Sequence, residues 1–354
     1  MTRPAASALT EGEVRAAAIR LEQPVRLGVI TNPFSRTNAR NRLYDRLIPS
    51  ALTEPELALT THTAEEFDAA LMELLFRRRV NVLGLNGGDG TLHLGVNRLV
   101  ALRREAERLT GEPFRLPRLL FLNGGTLNIV SRATGTQGNP VTTLRDFERR
   151  ARGVTVGAIP TRRVRLLAVH VTGATPRYGF IFGTEVVANA LEMYTLFGEG
   201  YVGLGRFLVE VGAGYAFGSR LWREHGWKLD PTGRPLVLDG REYPKNLGAV
   251  ACTIELSLVK GVLTALRPPE DGTGFAVRLL AETRPGRVIR SIPQLMVGRS
   301  PEGVIDVPEA RSLVAAGSYT IDGELCLDRT PEGMRRTLEV LPADVVLDAV
   351  RMEA

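Results

Sequence analysis

A glycine-rich turn set directly between a strand pattern and a helix pattern constrains this chain most: Leu85-Asn86-Gly87-Gly88-Asp89-Gly90-Thr91. Upstream, Val80-Asn81-Val82-Leu83-Gly84-Leu85 is a short apolar run, as a strand buried on both faces requires. Downstream, residues 91–108 carry apolar side chains at helical spacing. A turn this abrupt calls for backbone free of Cβ strain, and glycine supplies it. The missing side chains also let backbone N–H groups approach an anion, and the positive end of the following helix points at the same place. Asp89 repels a phosphate, so its expected work is to hold a metal ion, fix the loop or orient a hydroxyl. A bare Gly-Gly turn often has no ligand at all. The five-residue run Gly87-Gly88-Asp89-Gly90-Thr91 is far more specific.

A second turn of the same kind, Asn123-Gly124-Gly125-Thr126-Leu127-Asn128, follows the apolar run 118–122. Two such turns at one edge of a parallel sheet line one crevice, where open α/β sheets bind ligands. Thr126 and Asn128 offer a hydroxyl and an amide there. No lysine precedes Lys228, and no Gly-x-x-x-x-Gly-Lys run exists. A P-loop lysine is thereby excluded from the first half. Neutralising a phosphate falls to backbone amides, a magnesium ion and arginines.

The turns sit within a regular alternation. Strand-like runs at 25–30, 57–61, 80–85 and 118–122 alternate with helical patterns at 38–47, 64–79 and 91–108, which predicts a parallel sheet covered by helices over residues 24–155. Residues 1–23 read as a tail or a short helix. From 156 to 337 the runs 163–171, 178–182, 247–254, 275–280 and 318–321 are punctuated by Gly and Pro. They predict a mostly antiparallel second domain, with helical signal confined mainly to 187–194 and 202–215. The closing segment 338–354 begins as a strand at 338–342 and is expected to return to the first domain.

Composition narrows the chemistry. The formal net charge is +6, and Lys228, Lys245 and Lys260 are the only lysines, so the positive charge is nearly all guanidinium. Such a surface suits anionic phosphates. Cys252 and Cys326 make no disulfide framework, and the four histidines have no zinc-ligand spacing. No helix-turn-helix, zinc-finger or RNA-binding aromatic signature is present, so no nucleic-acid partner is expected. No signal-peptide pattern and no run of about 18 apolar residues occurs. A cytoplasmic protein is expected, and any work on lipid would be done from the membrane surface.

The third feature is Ile321-Asp322-Gly323-Glu324, two carboxylates flanking a glycine after a strand. A carboxylate near a hydroxyl can take its proton during phosphoryl transfer. The alternative is a solvated Asp-Gly hairpin turn.

Taken in order, Asn32-Pro33-Phe34-Ser35, Gly87-Gly88-Asp89-Gly90-Thr91 with Asn97 on the next helix, Gly124-Gly125-Thr126-Leu127-Asn128, and Asp322-Gly323-Glu324 followed by Glu339-Val340-Leu341-Pro342 resemble the diacylglycerol kinase catalytic family, which includes bacterial lipid kinases and sphingosine kinases. The resemblance covers roughly residues 25–345. It implies an α/β nucleotide domain, a C-terminal β-sandwich, and ATP and Mg²⁺ as cofactors. Carried over by position, Asn32, Pro33, Ser35, Thr37, Gly87, Gly88, Asp89, Gly90, Thr91, Gly125, Thr126 and Asn128 would contact ATP. Glu324 would be the general base, with Asp322 as second candidate and Asp89 completing the catalytic set. Glu185, in Gly183-Thr184-Glu185, would face substrate. Asp271 is the counterpart of a structural magnesium ligand. Departures are Asn123 for a proline, Ile129 for an acid and Arg36 for a glycine. The glycine-aspartate motif is shared with NAD kinases. An NAD kinase-like enzyme and a non-catalytic lipid- or nucleotide-binding module therefore stay open beside the lipid kinase. A homodimer is also left open.

Eight aromatic residues fall between positions 194 and 227, interleaved with glycine and arginine. That mix suits an apolar surface at a bilayer interface. It equally suits packing inside the protein.

Overall fold

The structure, a computed structural model, describes residues 9–352 except 42, 126–127, 199, 231–232, 259–262, 270–271, 283, 328–329 and 331–335. The chain forms two compact units, Met1–Val164 with Val345–Ala354, and Arg165–Asp344.

The first unit opens with α1 (Glu11–Ala16), closed at its N-terminus by a capping box between Thr10 and Glu13. There follow β1 (Leu27–Thr31), α2 (Arg36–Arg40), α3 (Tyr44–Leu47), β2 (Ala58–Thr60), α4 (Ala64–Met72), β3 (Val82–Gly87), α5 (Asp89–Thr110), β4 (Arg118–Asn123), α6 (Ile129–Ala133) and α7 (Pro140–Ala151). The strands run parallel in the order β2-β1-β3-β4. Every residue of β1 and β3 is buried, as a parallel sheet covered on both faces demands. The helix expected over 38–47 is two short helices instead. The pattern at 64–79 ends as a regular helix at Met72 and finishes in a wide turn, Glu73–Arg77.

The second unit is a sandwich. Its elements are β5 (Thr161–Val171), β6 (Arg177–Gly179), β7 (Ile181–Thr184), α8 (Val186–Thr195), α9 (Gly200–Phe217), α10 (Arg220–His225), β8 (Leu236–Leu238), β9 (Arg241–Tyr243), β10 (Gly248–Cys252), β11 (Leu256–Leu258), β12 (Leu263–Leu266), β13 (Phe275–Leu280), α11 (Pro285–Met296), β14 (Val304–Ala310), β15 (Leu313–Ala316), β16 (Tyr319–Ile321), β17 (Glu324–Cys326) and β18 (Thr337–Val350). One layer is antiparallel in the order β14-β13-β10-β7-β16-β17. The facing layer includes β5, β18, β15, β8 and β9. Side chains alternate with a period of two along each strand. Phe275, Val277 and Leu279 of β13 therefore meet Leu313 and Ala315 of β15 and Leu338 and Val340 of β18 in one buried core.

Two findings depart from the expectations. The strand at 338–342 does not stop at Pro342 but runs on to Val350, where Ala349 pairs in parallel with Leu119 of β4. The first unit thereby gains a fifth parallel strand from the end of the chain. Helix α11 was not expected, because Pro285, Gly286 and the internal Pro293 argue against a helix. Pro285 stands at the first position, where its missing N–H costs nothing.

Candidate functional site

The candidate site is assembled at the C-terminal edge of the parallel sheet. Register places Thr31 opposite Asn86, and Gly87 opposite Asn123. Three loops therefore leave the sheet side by side. Gly88 is the N-cap of α5, with extended backbone and no side-chain cap. The N–H groups of Thr91 and Leu92 both donate to the Gly88 carbonyl, at 2.9 and 3.1 Å. The leading N–H groups of a 22-residue helix face the loop, where an anion can accept from them.

The glycines here are needed for space. Gly87, Gly88, Gly124 and Gly125 are not among the residues with positive φ, which corrects the expectation of relieved turn strain. A Cβ on Gly125 would overlap the Gly88 Cα and lie 3.3 Å from the Gly88 nitrogen. A Cβ on Gly124 would sit 2.6 Å from Asn86 Oδ1 and 2.8 Å from the Gly87 nitrogen. The two turns pack backbone against backbone.

Polar side chains tie the three loops together. Asn32 Nδ2 donates to Thr91 Oγ1 at 2.9 Å, while Asn32 Oδ1 accepts from the Phe34 N–H at 2.9 Å. Ser35 Oγ donates to the Asn32 carbonyl at 2.9 Å. Thr37 Oγ1 donates to the Gly125 carbonyl at 2.6 Å, and its N–H donates to that of Gly124 at 3.1 Å. Asn128 closes on Gly125 from both sides: its Oδ1 accepts from the Gly125 N–H at 2.9 Å and its Nδ2 donates to the Gly125 carbonyl at 3.1 Å. Its φ of 51° is left-handed, a conformation that Asn tolerates. These side chains were expected to touch a nucleotide. In the structure they hydrogen-bond the loops to one another.

Asn38 and Asn86 enter the same network without having been singled out. Both are buried. Asn38 Nδ2 donates to the Asn32 carbonyl and to Ser35 Oγ, each at 2.8 Å. Asn38 lies in the first turn of α2 and reaches back to the loop that caps it, a contact for which the sequence held no specific signal. Asn123, the departure at the second turn, has a use of its own. Its Nδ2 donates to the carbonyls of Thr136 and Gly138, and its Oδ1 accepts from Ser131. It pins the segment after α6. Asn97 Nδ2 donates to the His93 carbonyl at 2.8 Å, within its own helix.

Asp89 is the first residue of α5 and half-buried, an acid on the positive end of a helix dipole. Thr91 is buried, Gly90 lies in the first turn and Pro33 in the loop after β1. Thr126 and Asp271 lie outside the described residues. Among the described residues no group of three or more His, Cys, Asp or Glu side chains could hold a metal by itself. Burial pushes the Cys252 thiol up to about 12, so it stays protonated and is no nucleophile.

The remaining candidates belong to the second unit. Asp322 and Gly323 form the two-residue turn joining β16 to β17, with φ of 50° and 90°. That is the primed turn hairpins favour. Asp322 is buried, and its Oδ1 accepts from the N–H groups of Phe180 and Ile181 at 2.8 and 2.9 Å. Glu324, opposite Ile321, is exposed. The motif is thus a hairpin turn, as its plainer reading held, but Asp322 faces inward and only Glu324 faces solvent.

Glu185 caps α8 at φ 55° and ψ −116°, a strained position for any residue but glycine. Its N–H donates to the Ser318 carbonyl at 3.0 Å, and its own carbonyl accepts from the Asn189 N–H at 2.9 Å. The carboxylate is buried and accepts from Arg234 Nη1 at 2.9 Å. Arg234 had no signal in the sequence, being 49 residues away. Replacing it breaks a buried ion pair, so Arg234→Ala should destabilise the second unit by about 3–5 kcal/mol. A thermal melt should show the midpoint lowered by roughly 10 °C. An unchanged melt would mean that the pair contributes nothing to stability.

Comparison with known proteins agrees with this geometry. Residues 26–159 match the model of the diacylglycerol kinase catalytic domain. No curated protein matches the chain. A solved structure of a diacylglycerol kinase from Bacillus anthracis str. Sterne is 16% identical, over 94% of this chain and 98% of that one, with a TM-score of 0.56. Two more structures from the same strain, named as diacylglycerol kinases only provisionally, match with the same identity and coverage at TM-scores of 0.58 and 0.59. At that identity the likeness speaks for the two-domain fold. The paired glycine turns fall inside the matched segment.

Proposed function

We propose that this protein is an ATP-dependent lipid kinase that transfers the γ-phosphoryl group to a lipid hydroxyl. The observation that carries the reading is the backbone-to-backbone packing of Gly88 and Gly125 at the head of α5. The glycines leave backbone bare at this contact, and a helix dipole favours negative charge beside it. Asn32, Thr37 and Asn128 hold that surface rigid before any ligand arrives, so little ordering cost is left for binding.

The residues present fit a nucleotide with magnesium. Magnesium keeps most of its waters and is shared with substrate phosphates, so one nearby carboxylate suffices, and Asp89 is the candidate. When bound, magnesium neutralises charge that develops on the phosphates. Glu324 takes the proton from the acceptor hydroxyl as its oxygen bonds to phosphorus, and the bond to the departing ADP oxygen breaks. Asp322 fixes the hairpin that presents Glu324. A peripheral position at a membrane face follows from the substrate class.

Labelled ATP should pass its phosphate to a component of a total lipid extract, identified by mass spectrometry. Transfer to NAD with none to lipid would overturn the reading in favour of an NAD kinase. ATP binding without transfer to any acceptor would make the protein a binding module.

A further inference from the structure

The acid with the most exacting task stands on a thinly supported strand. β17 has three residues and closes one side of its layer, and among the described residues it pairs with β16 alone. Side chains alternate along it, so Glu324 and Cys326 share one face, opposite Ile321 and Tyr319 respectively. Ile321 and Tyr319 belong to the core between the two layers, and Cys326 packs against that core. Glu324 stands on the same face at the exposed end of the hairpin. On the turn side of it, Asp322 is held by the N–H groups of Phe180 and Ile181.

The facing layer supplies an anchor on the other side. There β6 pairs with β5, Arg177 lying opposite Val169 and Gly179 opposite Leu167. Half-buried Arg177 reaches across the edge of the sandwich, and its Nη1 donates to Cys326 Sγ at 2.7 Å. The Tyr319 hydroxyl bonds to the same sulfur. Gly179 lies against the turn, where a Cβ would overlap Asp322 Oδ2 and Ile321 Cγ1. The stretch from Arg177 to Ile181 therefore grips the hairpin on both sides of Glu324, at Cys326 and at Asp322. A thiol is only a weak acceptor, so the Arg177–Cys326 bond adds little stability by itself. What it fixes is the direction of the strand.

We infer that Arg177 is a positioning residue for Glu324, holding the far end of β17 so that the carboxylate meets the acceptor hydroxyl. This role depends on Glu324 being the base of the proposed transfer. A general base has to stand within hydrogen-bond reach of the proton it takes, about 2.6–3.2 Å. A displacement on the order of 1 Å costs about a hundredfold in turnover. A short edge strand with one neighbour and few buried contacts opens at little cost. Arg177 removes that freedom by way of Cys326, without touching substrate itself.

The test is steady-state turnover of labelled ATP on an excess of total lipid extract, with ATP varied. Wild type and Glu324→Gln come first. No turnover by wild type, or undiminished turnover by Glu324→Gln, overturns the base and the role of Arg177 with it. Arg177→Gln should then lower kcat about a hundredfold and leave the KM for ATP unchanged. Arg177→Lys, which can still donate to Sγ, should recover about tenfold of that loss. Cys326→Ala should reproduce the loss, and combining it with Arg177→Gln should be no worse than either alone, since the two form one contact. Should Arg177→Gln fail to fold, Cys326→Ala carries the same comparison. A merely structural role is set apart in the Glu324→Gln background, where adding Arg177→Gln should cost less than about twofold. Three outcomes would overturn the inference and leave the base standing: wild-type kcat in Arg177→Gln, additive losses in the double variant with Cys326→Ala, or a full further loss when Arg177→Gln is added to Glu324→Gln.

Discussion

Gly125→Ala should abolish nucleotide use. The added methyl group cannot enter without forcing the second turn away from Gly88. Overpacking of this kind costs about 1–3 kcal/mol of stability, which the fold survives. Catalysis survives less well, since a displacement on the order of 1 Å at a positioning loop costs about a hundredfold. Titration calorimetry with ATP and a kinase assay should both register the loss while the melt shifts only modestly. Gly12→Ala is the control: it lies in α1 with nothing within 4 Å of an added Cβ. If Gly125→Ala bound ATP like wild type, the packing of the two turns would be irrelevant to the ligand.

The second large effect separates the two acids of the hairpin. Glu324→Gln removes an exposed carboxylate, so the melt should not move, while kcat should fall about 10²–10⁴-fold if it is the base. Asp322→Ala should act the other way, through stability. It leaves the Phe180 and Ile181 N–H groups without their acceptor, at about 1–3 kcal/mol each. Alanine also resists the positive φ of that position. Asp322→Asn should restore most of the loss, because an amide oxygen can still accept and Asn tolerates the left-handed region. A full loss of turnover in Asp322→Asn with an unshifted melt would make Asp322 the base instead.

The parts of this molecule legible in its sequence are those where local chemistry and tertiary position agree. β3, the glycine turn and α5 lie where the pattern put them, because a continuous apolar run, a loss of side chains and a helical period follow one another without conflict. The identity of the residues at the turns was also legible; their reason was not. Gly88 and Gly125 touch across 37 positions of chain, and no single-sequence pattern reports that approach. The same limit hid Arg234 behind Glu185 and reversed the reading of Asp322, whose inward direction is set by amides some 140 residues upstream. Helix α11 was obscured by its own prolines, which argue locally against the helix that its packing against α9 supports.

The late place of β18 in the sequence has a consequence for how the protein is made. β4 is complete by Asn123, yet the neighbour on its outer edge, the end of β18, is synthesised only after the whole sandwich. Further bonds there, from the Arg351 N–H to the Pro160 carbonyl and from the Met352 N–H to the Gly135 carbonyl, also wait for the residues after β18. While the ribosome works through the sandwich, the nascent first unit therefore carries an unpaired β edge, the kind of surface that recruits stray strands. Arrival of β18 is what closes it.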